Sequence, residues 1–74
     1  MCYSLPARVI ALGATEFDPV EIDVAGERRT CFRLFVPELA LGDWCIVQNG
    51  HAVRRLTEEE ALGAIAAFRE LLGA

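Results

Sequence analysis

Between Val20 and Val24 apolar and acidic residues alternate without a break. Val20, Ile22 and Val24 fall on one face of an extended chain, Glu21 and Asp23 on the other. This pattern predicts a half-buried strand. A short apolar run from Ala7 to Leu12, with Val9 and Ile10 at its centre, predicts a strand before it, ended by Gly13. Asp18-Pro19 closes the intervening loop, because the residue before a proline is pushed towards extended geometry. Ala25-Gly26-Glu27 reads as a tight turn, and Arg28 to Phe35 as the returning arm of an antiparallel hairpin. In that arm Thr30, Phe32 and Leu34 share one face and Arg29, Cys31 and Arg33 the other.

After a connection from Val36 to Asp43, Trp44 to Gln48 and His51 to Leu56 read as two further strands around Asn49-Gly50. That dipeptide is a strong hairpin signal, since a type I′ turn needs positive φ at both positions. A two-residue turn also sets Gln48 and His51 directly opposite each other, with Cβ atoms about 4.5–5.5 Å apart. Thr57 and Glu60 form a capping box, and Glu58 and Glu59 favour the positive end of a helix. Ala61, Ile65, Phe68 and Leu72 then recur at helical spacing, with Gly73 as the terminator. Gly63, inside the helix, is read as room for a close neighbour. The fold class is mostly β: about five antiparallel strands curled into a small, partly open OB-like barrel, with a C-terminal α-helix. One domain is expected over residues 1–74, the barrel covering about 1–56 and the helix about 58–72.

Composition changes this picture in two ways. Apolar residues make up 54% of the 74, enough to offset the poor surface-to-volume ratio of so short a chain and to leave some apolar surface for a partner. The net charge is −4, and all seven basic residues are arginines scattered along the chain. That argues against nucleic acid, whose binding rests on clustered cations. No apolar run is long enough to span a bilayer and no signal-peptide pattern opens the chain, so a cytoplasmic protein without membrane contact is expected.

Three cysteines, Cys2, Cys31 and Cys45, show no Cys-x-x-Cys spacing, which suits a reducing compartment better than a disulfide scaffold. Cys2 is the candidate for chemistry. Chain ends are loose unless tied down, so a thiol there gains reach and exposure, and Pro6 stiffens the exit into the first strand. Cys31 and Cys45 read as structural, a free cysteine behaving as a small hydrophobe. A zinc site built from Cys2, Cys31, Cys45 and His51 is the sharper alternative, without the paired short spacings of structural zinc sites. Asp43 reads as a turn terminator.

The opening Met1-Cys2-Tyr3-Ser4-Leu5-Pro6-Ala7-Arg8-Val9 resembles that of the HypC/HupF hydrogenase-assembly chaperones: Met-Cys, an aliphatic residue, Gly or Ala, an aliphatic residue, Pro. Leu41-Gly42-Asp43-Trp44-Cys45-Ile46-Val47 resembles their Gly-Asp-Tyr/Trp-Val-Leu-Val strand, and Gly50-His51-Ala52-Val53 their Gly-Phe-Ala-Ile. Leu56-Thr57-Glu58-Glu59-Glu60-Ala61 is similar to their acidic helix start. The resemblance implies a small barrel with a C-terminal helix and a non-catalytic metallochaperone. Its cargo would be iron as the Fe(CN)2(CO) fragment of the [NiFe]-hydrogenase centre, held transiently. Its implied partners are a HypD-type iron–sulfur protein and the precursor of the hydrogenase large subunit. The family's essential cysteine carries over as Cys2, with Leu5 and Pro6 beside it as partner-binding residues. No catalytic and no cofactor-binding residue is assigned.

Three positions depart from the family pattern. Tyr3 replaces an aliphatic residue, Ser4 a very small one, and Gln48 stands where the family usually has a histidine implicated in iron handling. Glutamine is a poor iron ligand beside imidazole. His51, across the strand pair from Gln48, is therefore the candidate second metal ligand. Other readings are a specialised paralogue with different metal or thiol chemistry and an OB-type nucleic-acid-binding module. A small thiol enzyme is the least favoured, since nothing in the sequence supplies a catalytic triad.

Overall fold

The computed structural model describes residues 5–71 and Gly73. Five strands, β1 (Ala7–Ala11), β2 (Val20–Val24), β3 (Glu27–Cys31), β4 (Trp44–Gln48) and β5 (His51–Leu56), precede the helix α1 (Glu58–Leu71). All five belong to one antiparallel sheet in the order β3-β2-β1-β4-β5. The two outer strands approach each other at one isolated parallel bridge between Phe32 and His51. There the Phe32 N–H donates to the Gly50 carbonyl at 2.9 Å, and the Ala52 N–H to the Phe32 carbonyl at 2.8 Å. The result is the expected barrel-like fold, not a continuous closed sheet.

Its interior follows from the alternation. Val20 and Ile22 of β2 are buried, as are Ala7 and Val9 of β1, Cys45 of β4 and Ala52 of β5. Ala7, Cys45 and Ala52 are wholly inaccessible, and the larger Val9, Val20, Ile22 and Leu39 fill the space beside them at 1% exposure or less. Val36 and Leu39, from the connection between β3 and β4, are buried in the same core. Arg33 fixes that connection, its Nη1 donating to the carbonyls of Pro37 at 2.8 Å and Leu39 at 3.2 Å.

β3 departs from its sequence pattern. It ends at Cys31 instead of continuing to Phe35, and its inward residue is Cys31, 2% exposed, while Phe32 is 39% exposed. The register decides this, because Cys31 lies opposite the buried Val20. β1 likewise ends at Ala11, one residue short of the expected Leu12, with a register shift between Val9 and Ala11.

Both hairpins turn as their sequences require. Ala25 and Gly26 have φ of 53° and 88°, and Asn49 and Gly50 have φ of 53° and 79°. A second register shift lies between Ile46 and Val47, so Trp44 faces Leu56 across the β4–β5 pair. The helix start carries the full capping box. The Thr57 N–H donates to Glu60 Oε1 at 2.9 Å, and the Glu60 N–H to Thr57 Oγ1 at 3.0 Å. The Thr57 backbone bond holds the Glu60 carboxyl below its usual range, with Arg54 acting in the same sense. The helix packs on β4 and β5 through Ala61, its fully buried residue, with Ile65 and Phe68 half-buried.

Two glycines have opposite roles. A Cβ at Gly13 would overlap Cβ of Asp18, whose Oδ2 accepts the Thr15 N–H at 2.9 Å and so shapes the β1–β2 loop. Gly13→Ala is therefore expected to destabilise the chain by about 1–3 kcal/mol, the usual cost of overpacking. At Gly63 a Cβ would meet nothing within 4 Å among the described residues, so none of them uses the room that the sequence suggested. Gly63→Ala should stabilise by up to about 1 kcal/mol through helix propensity alone. Urea midpoints for the two variants would move in opposite directions.

Candidate functional site

Cys2 lies outside the described residues, and Leu5 and Pro6 lead into β1. Leu5 is half-buried and Pro6 buried. Leu5 borders two hollows. One, of about 340 Å³, opens at the barrel mouth beside Val24, Val47, Asn49 and Gly50. The other, of about 370 Å³, runs between the sheet and α1, with Pro6, Trp44, Ile65 and Phe68 along it. The N-terminal entry thus meets both the β4–β5 turn and the helix.

That turn places Gln48 and His51 as a directly opposed pair, as its two-residue length requires. Ala52 points into the core, so strand alternation turns His51 to the outer face. There the imidazole packs against Phe32 at 5.9 Å between ring centres, tilted by 38°, and edge-on against Phe35 at 5.4 Å and 60°. His51 Nδ1 is buried and has no hydrogen-bond partner among the described residues. His51 does not line the mouth beside Leu5. Phe32 and Phe35 were not singled out from the sequence, because alternation assigns them to opposite faces. Only the bridge between Phe32 and His51 brings both rings to the imidazole.

The two remaining cysteines are free and buried. Burial raises both thiol pKa values. Cys45 is pushed from 9.0 to about 12, with the nearby Cys31 and Asp43 adding to the effect. Both are neutral thiols at physiological pH, unsuited to nucleophilic work. Cys31 and Cys45 point inward while His51 faces outward. Among the described residues no three His, Cys, Asp or Glu side chains gather as a metal site. Asp43 has the structural role its position suggested: Oδ2 accepts the Ala40 N–H at 2.9 Å and lies 3.6 Å from Arg55 Nε.

A family model described as the HupF/HypC family matches residues 1–68, from the Met-Cys opening through most of the helix. The chain belongs to the HupF/HypC family. It is 34% identical to the hydrogenase maturation factor HypC of Cupriavidus necator, over 96% of this chain and 77% of that protein. It is 28% identical to the hydrogenase maturation factor HybG of Escherichia coli K12, over 96% of this chain and 92% of that protein. The HypC of a Synechocystis strain is 34% identical over 82% of this chain and 84% of its own. Within this HupF/HypC member, no helix among the described residues is long and apolar enough to cross a membrane.

Proposed function

We propose that the chain is a non-catalytic assembly factor in the maturation of a [NiFe]-hydrogenase. It carries the Fe(CN)2(CO) fragment as cargo on the Cys2 thiolate. It works in the cytoplasm with a HypD-type iron–sulfur protein and the precursor of the hydrogenase large subunit. One observation carries this reading: the family match begins at residue 1 and so includes the Met-Cys opening, in a chain whose similar proteins are hydrogenase maturation factors.

The physical chemistry supports it. Binding a soft metal drives deprotonation of a thiol, so a cysteine needs no lowered pKa to capture iron. Three residues span at most about 11 Å of backbone, so the Cα of Cys2 would lie within that reach of the Cα of Leu5, with the cargo one side chain beyond. A single thiolate with few accompanying ligands suits a carrier that must also release. His51 is the proposed second ligand, supplying the imidazole that Gln48 lacks. Its place opposite Gln48 favours this; its packing between two phenylalanines requires the ring to reorient towards the cargo.

Anaerobic Fe(II) titration of the wild type, Cys2→Ala and His51→Ala would test both assignments. We expect binding to disappear with Cys2 and to weaken by at least about 10-fold with His51, since a direct ligand should cost no less than an outer-shell partner. Unchanged binding by His51→Ala would remove that residue from the site. Co-purification with a HypD-type protein should be lost in Cys2→Ala; full retention, together with normal hydrogenase assembly, would refute the proposed function.

A further inference from the structure

We infer that the furrow between the sheet and α1 is a docking site for a segment of another protein that presents an apolar side chain flanked by carboxylates. This goes beyond the iron-handling reading and makes no use of Cys2. Trp44, Ile65 and Phe68 are half-buried along a hollow of about 370 Å³, so its floor is apolar and partly aromatic. Such a floor takes an apolar side chain.

The arginines decide the sign of the partner. Arg28, Arg29, Arg54 and Arg55 each lie within 4.0 Å of a carboxylate, on Glu21, Glu27, Glu60 and Asp43 respectively. Arg33 is held by the backbone carbonyls of Pro37 and Leu39. Arg8 and Arg69 are left, and among the described residues neither has a carboxylate partner; both line the furrow. The carboxylate among the lining residues is Asp23, opposite Arg8 in the β1–β2 register but not ion-paired with it. The Arg8 guanidinium instead lies over the Trp44 ring, 5.9 Å from its centre. A stacked guanidinium keeps its N–H edge available to a carboxylate.

In a chain of net charge −4, the two arginines without a carboxylate partner among the described residues thus flank one apolar furrow, where they outnumber its single lining carboxylate, Asp23. Charge complementarity selects an acidic partner segment, while the floor demands that it also bring an apolar side chain. Neither a bare anion nor a plain hydrophobic peptide satisfies both.

Trp44 is the sole tryptophan and reports directly on the furrow. The test is a fluorescence titration of the full chain with a blocked hexapeptide, acetyl-Glu-Asp-Phe-Leu-Asp-Glu-amide, and with its Gln/Asn counterpart. Amide chemical-shift mapping would locate the binding. The acidic peptide should saturate the Trp44 response and perturb α1 around Phe68. The neutral peptide should bind about tenfold more weakly, and Arg8→Gln and Arg69→Gln should each weaken the acidic peptide about three- to tenfold. Arg28→Gln, which removes an arginine already paired with Glu21, should leave binding unchanged. Equal affinity for the two peptides, no Trp44 response at millimolar peptide, or shifts mapping away from the furrow would each overturn the proposal. So would a peptide-independent, concentration-dependent Trp44 change abolished by Phe17→Ser. That result would make a second copy the occupant, through its exposed Phe17 between Glu16 and Asp18. No iron enters the titration, so its failure leaves the proposed role of Cys2 untouched.

Discussion

A Cys2→Ala chain is expected to fold with an unchanged urea midpoint, yet to bind no iron and to support no hydrogenase maturation. The expectation follows from what one atom contributes. Alanine removes the thiolate, and with it the strongest soft donor proposed for the cargo. Loss of outer-shell partners alone costs metal sites about 10- to 100-fold in affinity; loss of the sole thiolate ligand should exceed that range. Serine should fail as well, since a hydroxyl is a far poorer anionic donor at neutral pH than a thiol. The comparison to make is hydrogenase activity in a strain lacking its own copy of the factor, beside the urea midpoint of each purified variant. Normal maturation by the alanine variant would refute the role given to Cys2. A collapse of its stability would instead mean that the thiol supports the fold.

The second large effect is on stability in alkali. Cys45 is wholly buried, and burial lifts its thiol from 9.0 to about 12, with Cys31 moved in the same direction. In the unfolded chain these thiols ionise near their ordinary value, whereas in the folded chain they keep their protons. Between the two values the unfolded state binds fewer protons, so stability falls as pH rises. The contribution is fully present below pH 9 and is lost from there towards pH 12, by about 1.4 kcal/mol per pH unit for Cys45 alone. Cys45→Val replaces the thiol with a slightly larger apolar side chain, at a pH-independent overpacking cost of about 1–3 kcal/mol. It should show a visibly shallower fall above pH 9. Denaturation curves for the two chains at several alkaline pH values would decide this; parallel slopes would mean that Cys45 ionises freely in the fold.

Much of the fold is legible along the chain because periodicity is a local property. The alternation of Val20–Val24 identifies β2 and its inward face, and Asn49-Gly50 sets both the turn and the Gln48–His51 pairing. Thr57 and Glu60 mark the start of α1, where the capping box forms. The Met-Cys opening and the Gly-Asp-Trp strand similarly pointed to the HupF/HypC family, to which the chain belongs.

Other features depend on which distant segments meet. β3 stops at Cys31 because the next residue, Phe32, leaves the hairpin to bridge β5, and alternation within the strand carries no record of that crossing. The same bridge sets Phe32 and Phe35 around His51. Without the register shift between Ile46 and Val47, a straight ladder would oppose Trp44 to Arg55; with it, Leu56 takes that place. The sequence counts seven arginines, but pairing is a matter of distances between side chains on different elements. Only the tertiary structure could show that five of them are engaged and that Arg8 and Arg69 face one furrow. The sequence by itself determined the order of the strands, the turns, the cap and the family, all written in short-range order; the packing decided where β3 ends, what surrounds His51 and that Arg8 and Arg69 share one furrow.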